Sequence, residues 1–270
     1  MKAIILSLFL FLCNLSFADT LIKFQTGLTT LNAPIYVEKS DVVIIGEEGA
    51  VVKMANGVNA PILVIGERSE EPKLRIKNIK VFNLIFDGNM DNQTSEYMTA
   101  YPWLRNNCIT VRGASDVYIE NVITHHARSG GVVLEKGCTG VVINGLNAHD
   151  NFFDGFAGYM SEGCSLQNAS LHHNKAAAIS LDWSYNNNTF YNIHIYNNGD
   201  LGIFMRDCKA NFFKDITIKY NAVFLGSRIE TNPTTACFKN IFLFLNKPQI
   251  VVDEFSEKGE NVFRLKTLDK

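Results

Sequence analysis

Five side chains recur at intervals of 23 or 24 residues: Arg112, Glu135, Tyr159, Asp182 and Arg206. If these positions stack, two guanidinium groups, two carboxylates and a phenol form one polar stripe. Arginines grip carboxylates, aromatic rings lie on sugar faces, and acids accept from hydroxyls. Such a stripe suits an extended, hydroxyl-rich or uronate-bearing polymer. Lys136, Trp183 and Asp207 flank it, and Asp154 stands at the start of its own segment. The same column also suits a plain solvated face in which Arg112 pairs with Glu135 and Asp182 with Arg206. From the residues alone the two stand level.

What would stack these positions is a repeat. From Asn106 the chain divides into consecutive units of 22 to 24 residues, 106–129, 130–153, 154–176, 177–200 and 201–222. Each unit carries short stretches in which β-branched and other apolar residues alternate, such as Ile109 and Val111 or Val117 and Ile119, separated by Gly, Asn, Asp and Ser. Period-2 alternation with turn punctuation predicts strands. No unit can bury its apolar face alone, so the units must stack into a continuous core. Three strands and three corners per unit predict an all-β, single-stranded right-handed parallel β-helix. A leucine-rich repeat would need a Leu ladder, and a sandwich would not keep this register.

Aligning Cys108, Gly131, Gly155, Ala178 and Gly202 places apolar side chains one and three positions later. Side chains two and four positions later then face outward, because successive strand side chains alternate. The same alignment puts Asn151, Asn174, Asn198 and Asn221 at one corner, with Ala127 ahead of them. Amides about 4.8 Å apart can hydrogen-bond from rung to rung. Beside them run His125, His149, His172 and Tyr196, then His126, Asp150, His173 and Asn197. Stacked imidazoles are the expected state of this column, with metal ligation the competing one; no metal is assigned.

The remaining segments bound the molecule. Lys2, the apolar run Ala3 to Cys13 and the small-residue pattern Ser16-Phe17-Ala18 predict a signal peptide over 1–18, too short to span a bilayer. Residues 19–270 are then one β-helix domain: a cap and opening rungs over 19–86, an insertion loop over 87–107, regular rungs over 108–222, and terminal rungs with a charged tail over 223–270. Lys+Arg 25 against Asp+Glu 27 and a pI near 6.3 give no basic footprint, so nucleic acid is excluded as a partner. A secreted or periplasmic monomer, free of membrane once the signal is cleaved, is expected. Five cysteines remain after residue 18, with no CxxC pair. Burial as small apolar groups is expected of them, and Cys138 to Cys164 is the one disulfide worth testing.

The rungs, the stretch Phe86 to Gln93 (FDGNMDNQ), His149-Asp150-Asn151 and Asp154-Gly155-Phe156 together resemble the right-handed β-helix proteins of the pectate-lyase superfamily, and among them the mannuronan C5-epimerase catalytic modules. The resemblance covers roughly residues 80–222. It implies a polysaccharide as substrate and chemistry on the same strand face. The epimerase motif Tyr-Gly-Phe-Asp-Pro-His falls here on Gly130 to Glu135, retaining none of its three catalytic side chains, and the acid that follows Asp-Gly-Phe in that family falls on Gly158.

The expected activity is therefore action on an acidic polysaccharide as a uronate lyase or epimerase-like enzyme, or else non-catalytic carbohydrate binding or a structural, adhesive surface role. For the enzyme, Arg112 or Arg206 would neutralise a carboxylate, and Tyr159 or Lys136 would be base or acid if its pKa were lowered. Glu135 and Asp182, two rungs apart and so about 9.6 Å in strand spacing, sit at the edge of the window for an inverting hydrolase. Trp183 and Asp154 complete the substrate-binding set. No cofactor is indicated, calcium included, although calcium is compatible with such a surface.

Overall fold

The computed structural model describes residues 19–266. The segment 1–18 read as a signal peptide, and the last residues of the charged tail, lie outside the described residues. Among those described, the strands fall into two parallel sheets that wind around one core. Short strands Ile35–Val37, Leu63–Ile65, Ile109–Arg112, Val132–Glu135, Phe156–Tyr159, Ile179–Asp182, Ile203–Arg206, Ala222–Gly226 and Gln249–Val252 stack in chain order. Long strands including Lys77–Asp87, Ser115–His125, Val142–His149, Ser165–His172, Thr189–Tyr196 and Phe212–Lys219 stack beside them. Ile109 lies against Val132, Val132 against Phe156, Phe156 against Ile179 and Ile179 against Ile203, the register expected from the sequence.

Where the sequence predicts three strands per rung, the structure has one short strand and one long strand bent in the middle. The bend falls on residues in the left-handed region: Asn121 (φ 53°), Gly145 (φ 75°), Asn168 (φ 52°), Asn192 (φ 53°) and Asp215 (φ 58°). Gly has no Cβ penalty there, and Asn and Asp tolerate it. The bend shifts the phase of alternation by one residue. In Ser115–His125 the buried positions are Val117 and Ile119 before it, then Val122 and Thr124 after it. Both arms therefore face the core.

Inside the tube, like side chains stack. Phe190, Phe213, Phe242 and Phe263 form a column with ring centroids 4.3, 4.4 and 5.0 Å apart. Gly158 is the one inward position of the short strands without a side chain in this series, and the buried Tyr185 ring occupies its space: a Cβ on Gly158 would lie 2.5 Å from that ring.

The corner amides form the anticipated ladder. Asn151 Nδ2 donates to Asn174 Oδ1 at 2.9 Å, Asn174 Nδ2 to Asn198 Oδ1 at 3.0 Å, and backbone N–H groups of Ala127, Asn151, Asn174 and Asn198 donate to the next amide oxygen. A second, unanticipated ladder at the opposite end of the long strands runs Asn188, Asn211, Asn240 and Asn261, with bonds of 3.1, 3.1 and 2.9 Å. Both are buried where backbone groups leave the sheets, so each amide satisfies groups that would otherwise be orphaned.

The five cysteines are buried with free thiols, and the disulfide considered between Cys138 and Cys164 is not formed. Cys138 Sγ donates instead to the carbonyls of Glu135 and Val111, at 3.2 and 3.3 Å, and Cys164 Sγ to that of Glu162 at 3.4 Å. No helix among the described residues is long and apolar enough to cross a membrane.

Candidate functional site

The outer face of the short-strand sheet carries the polar column. Neighbouring rungs pair Glu135 with Arg112 and Asp182 with Tyr159, and Thr110, Val133, Ala157, Ser180 and Phe204 point the same way two positions earlier. Above this face lies a cleft of about 520 Å³. Glu135, Tyr159, Asp182 and Arg206 form its floor with Ser180 and Phe204; Trp103 and Arg105 of the 87–107 insertion and Phe153, Asp154 and Asp200 of the corners form its walls. The insertion thus flanks the column without closing it. Trp183, 49% exposed at the rim, is stacked by the Arg228 guanidinium at 4.0 Å.

Arg112 departs from expectation. It points outward from the tube but is completely buried, because residues 67–70 fold across it. Its Nη1 donates to Ser69 O at 2.7 Å and its Nη2 to Glu70 O at 3.2 Å, while Nε makes an ion-pair contact with Glu135 Oε1 at 2.8 Å. Arg112 therefore holds the cover down and does not reach a ligand. Lys136 is also withdrawn: the left-handed turn at its φ of 59° aims the ammonium at Glu71 of the same cover, and it does not line the cleft. The anticipated pairings of Arg112 with Glu135 and of Arg206 with Asp182 are both present. Arg206 Nε donates to Asp182 Oδ2 at 3.1 Å, and its guanidinium lies 5.0 Å from the Phe204 ring.

Electrostatics separate the carboxyls. Burial pushes Asp154 up to about 6, against the opposing pull of the Ala177 N–H, which donates to its Oδ1 at 3.0 Å, and of Arg105; the charge of Asp200 adds to the rise. Burial also raises Glu135, with Arg112 opposing it. The Tyr159 phenol is raised by burial, then by the charge of Asp154. The condition for Tyr159 as a base, a lowered pKa, is therefore reversed: it is a hydrogen-bond donor at neutral pH. Ser180 interacts with both Asp154 and Tyr159, linking wall to floor. Trp103, Arg105, Phe153, Ser180, Asp200 and Phe204 were not singled out from the sequence. Strand alternation marks Ser180 and Phe204 as outward, but the insertion residues carry no repeat signal.

At the neighbouring corner, His125, His149, His172 and Tyr196 stack with centroids 5.3, 5.1 and 4.6 Å apart. Among the described residues, Asp87, His125 and His126 form the group of metal-capable side chains whose ligand atoms lie within 4.8 Å of one another. None of the three lines the cleft.

With this geometry in place, comparison with known proteins is informative about the fold. The family described as "Right handed beta helix region" matches residues 107–243. Three solved structures share the architecture. PfbA, a surface adhesin of Streptococcus pneumoniae, superimposes with a TM-score of 0.68 at 12% identity, covering 90% of this chain and 69% of that one. A family 28 exopolygalacturonase of Yersinia enterocolitica gives 0.53 at 14%, covering 92% of this chain and 58% of the enzyme. A pectate lyase gives 0.50 at 14%, covering 91% and 67%. No curated protein sequence matches. An adhesin and two polysaccharide-directed enzymes on one scaffold agree with the rule that β-helices share architecture without sharing activity.

Proposed function

Because the chain belongs to the right-handed β-helix family, we propose that it is an exported protein that binds an acidic polysaccharide along the outer cleft and transfers a proton to a glycosidic oxygen from Asp154. The observation that carries the proposal is the Asp154 carboxyl, raised to about 6 in a cleft walled by Trp103 and Phe153. A carboxyl titrating near the working pH is the group a glycosidic leaving oxygen needs. Asp182 and Asp200 line the same cleft and provide the second carboxylate that hydrolysis requires to activate water. Arg105 at the wall and Arg206 at the floor offer cations for uronate carboxylates, and Trp183 offers a ring face at the rim.

This chemistry is favoured over lyase or epimerase chemistry, which must remove the C5 proton. Tyr159 is held as the phenol and Lys136 is turned to Glu71, so neither is poised as that base. A second reading, a non-catalytic or adhesive surface protein, draws support from the mutual neutralisation of Arg206 with Asp182 and of Arg112 with Glu135. Incubation with pectate, alginate and related uronans separates these readings. Hydrolysis gives new reducing ends without ultraviolet-absorbing products. Ultraviolet-absorbing unsaturated ends would instead establish a lyase, and retained affinity without turnover would establish a binding protein. The absence of both binding and turnover across the panel would overturn the proposal.

A further inference from the structure

We propose that Asp87, His125 and His126 form a binding site for one divalent transition-metal ion of the zinc class, separate from the cleft. The site is built by the register of the long strands. Asp87, at the end of Lys77–Asp87, lies directly across from His125, at the end of Ser115–His125. His126 follows in the left-handed region at φ 51°, which turns its ring edge-on to that of His125, with 86° between the planes. The two Nδ1 atoms are thereby brought to 2.7 Å, and Asp87 Oδ1 lies 4.0 Å from His125 Nδ1.

Two Nδ1 atoms at this distance share a single proton, one ring donating and the other accepting. A divalent cation can take the place of that proton and satisfy both lone pairs at once. Tetrahedral zinc with Zn–N distances of about 2.0–2.1 Å sets its nitrogens about 3.3 Å apart. The rings need separate by only about 0.6 Å to admit it. Two imidazoles and one carboxylate select zinc, nickel or copper, whereas calcium and magnesium require oxygen-rich shells.

The surroundings prepare the ligands. Lys53 binds Asp87 Oδ2 at 2.9 Å and the Asn89 N–H donates to Oδ1 at 2.8 Å, fixing the carboxylate so that Oδ1 faces the imidazoles. His149 stacks on His125 at 5.3 Å with 10° between the planes and holds that ring from the next rung. The pair recurs as His172 and His173, with Nδ1 atoms 2.8 Å apart, but the rung before it offers His149 where the first pair has Asp87. The first pair alone thus has a carboxylate across the ladder.

The test is calorimetric titration of the full chain, freed of metal by chelator, with zinc, calcium and magnesium chlorides. One zinc per chain is expected, with no heat from calcium or magnesium at the same concentrations. His125→Phe keeps a stacking ring and His126→Asn keeps a residue that tolerates the left-handed turn; each should weaken zinc binding beyond the 10–100-fold that loss of an outer-shell partner costs. His173→Asn should leave it unchanged. Electron paramagnetic resonance of the unaltered protein with one equivalent of copper(II) should show coupling to two nitrogens, a readout that does not depend on any variant folding. Absence of zinc binding, retention of it in both variants, equal loss in His173→Asn, or coupling to fewer than two nitrogens would overturn the proposal.

Discussion

The short-strand face holds the same chemical unit twice. Arg112 with Glu135 and Arg206 with Asp182 are arginine–carboxylate pairs across neighbouring rungs of one sheet, in the same outward column. In the first, Arg112 is sealed beneath residues 67–70 while Glu135 reaches the cleft floor; in the second, the arginine itself lies in the cleft, with the Arg206 side chain 39% exposed and Asp182 buried beneath it. Residue type and register are equal in the two places, so the difference in role comes from what a distant segment does above them. In the first pair the arginine is wholly committed to structure. In the second pair solvent can compete for Arg206, and the adjoining Asp154 titrates near 6.

The largest test of the division falls on Asp154. Asp154→Asn should lower turnover of a cleaved uronan by about 10²–10⁴-fold while leaving binding within a few-fold, measured by reducing-end release and by affinity electrophoresis. The unaltered protein should lose activity as pH rises through about 6. Equal loss of binding and turnover would make Asp154 a mere contact.

The two arginines come next. Arg112→Met should cost about 3–5 kcal/mol of stability, because it removes the fully buried guanidinium that holds Glu135 and the Ser69 and Glu70 carbonyls together. Arg206→Met should cost less, about 1–3 kcal/mol, because the buried Asp182 carboxylate loses its guanidinium but keeps the Trp183 N–H, and it should weaken uronan binding. Chemical denaturation of both variants measures the contrast, and comparable losses would erase it.

A smaller effect follows from linkage. The folded-state pKa of Asp154, about 6, lies above that of the unfolded chain. Its favourable contribution is therefore complete below about pH 4 and lost as pH rises through 6. Asp154→Asn should be more stable than the unaltered protein at pH 8, by up to about 3 kcal/mol, and gain nothing at pH 4. Thermal melts at both values read this directly.

Last, the corner tests whether burial alone makes the distinction. Asn174→Ala, which removes a fully buried rung of the ladder, should cost about 1–3 kcal/mol by leaving its neighbours unsatisfied. His173→Asn, one residue away and solvent-facing, should cost under about 0.5 kcal/mol.

These contrasts also mark what can be read from residues alone. The column of Arg112 to Arg206 and the ladder of Asn151 to Asn221 are legible because each recurs at 23 or 24 residues. The second ladder escapes that test. An excursion after Ala222–Gly226 stretches the step from Asn211 to Asn240 to 29 residues, and the next step is 21. The burial of Arg112 is equally hidden, since its cover lies 42 to 45 residues upstream in a segment without repeat character. Trp103 and Arg105 wall the cleft from an insertion whose conformation is set by its own contacts, such as Trp103 Nε1 donating to Arg68 O at 2.8 Å. Periodicity reveals what every rung shares, whereas the cleft is made by the segments that leave the rungs.

The stacked rungs carry a mechanical consequence. Each is joined to the next by parallel backbone bonds, reinforced over part of the tube by the two amide ladders, so tension applied at the two ends loads the rungs in series, and the weakest terminal turn yields first. A rung of about 23 residues freed in this way lengthens the chain by roughly 75 Å. Held between any two attachment points, such a molecule would lengthen in steps, each dissipating work before the attachment itself broke.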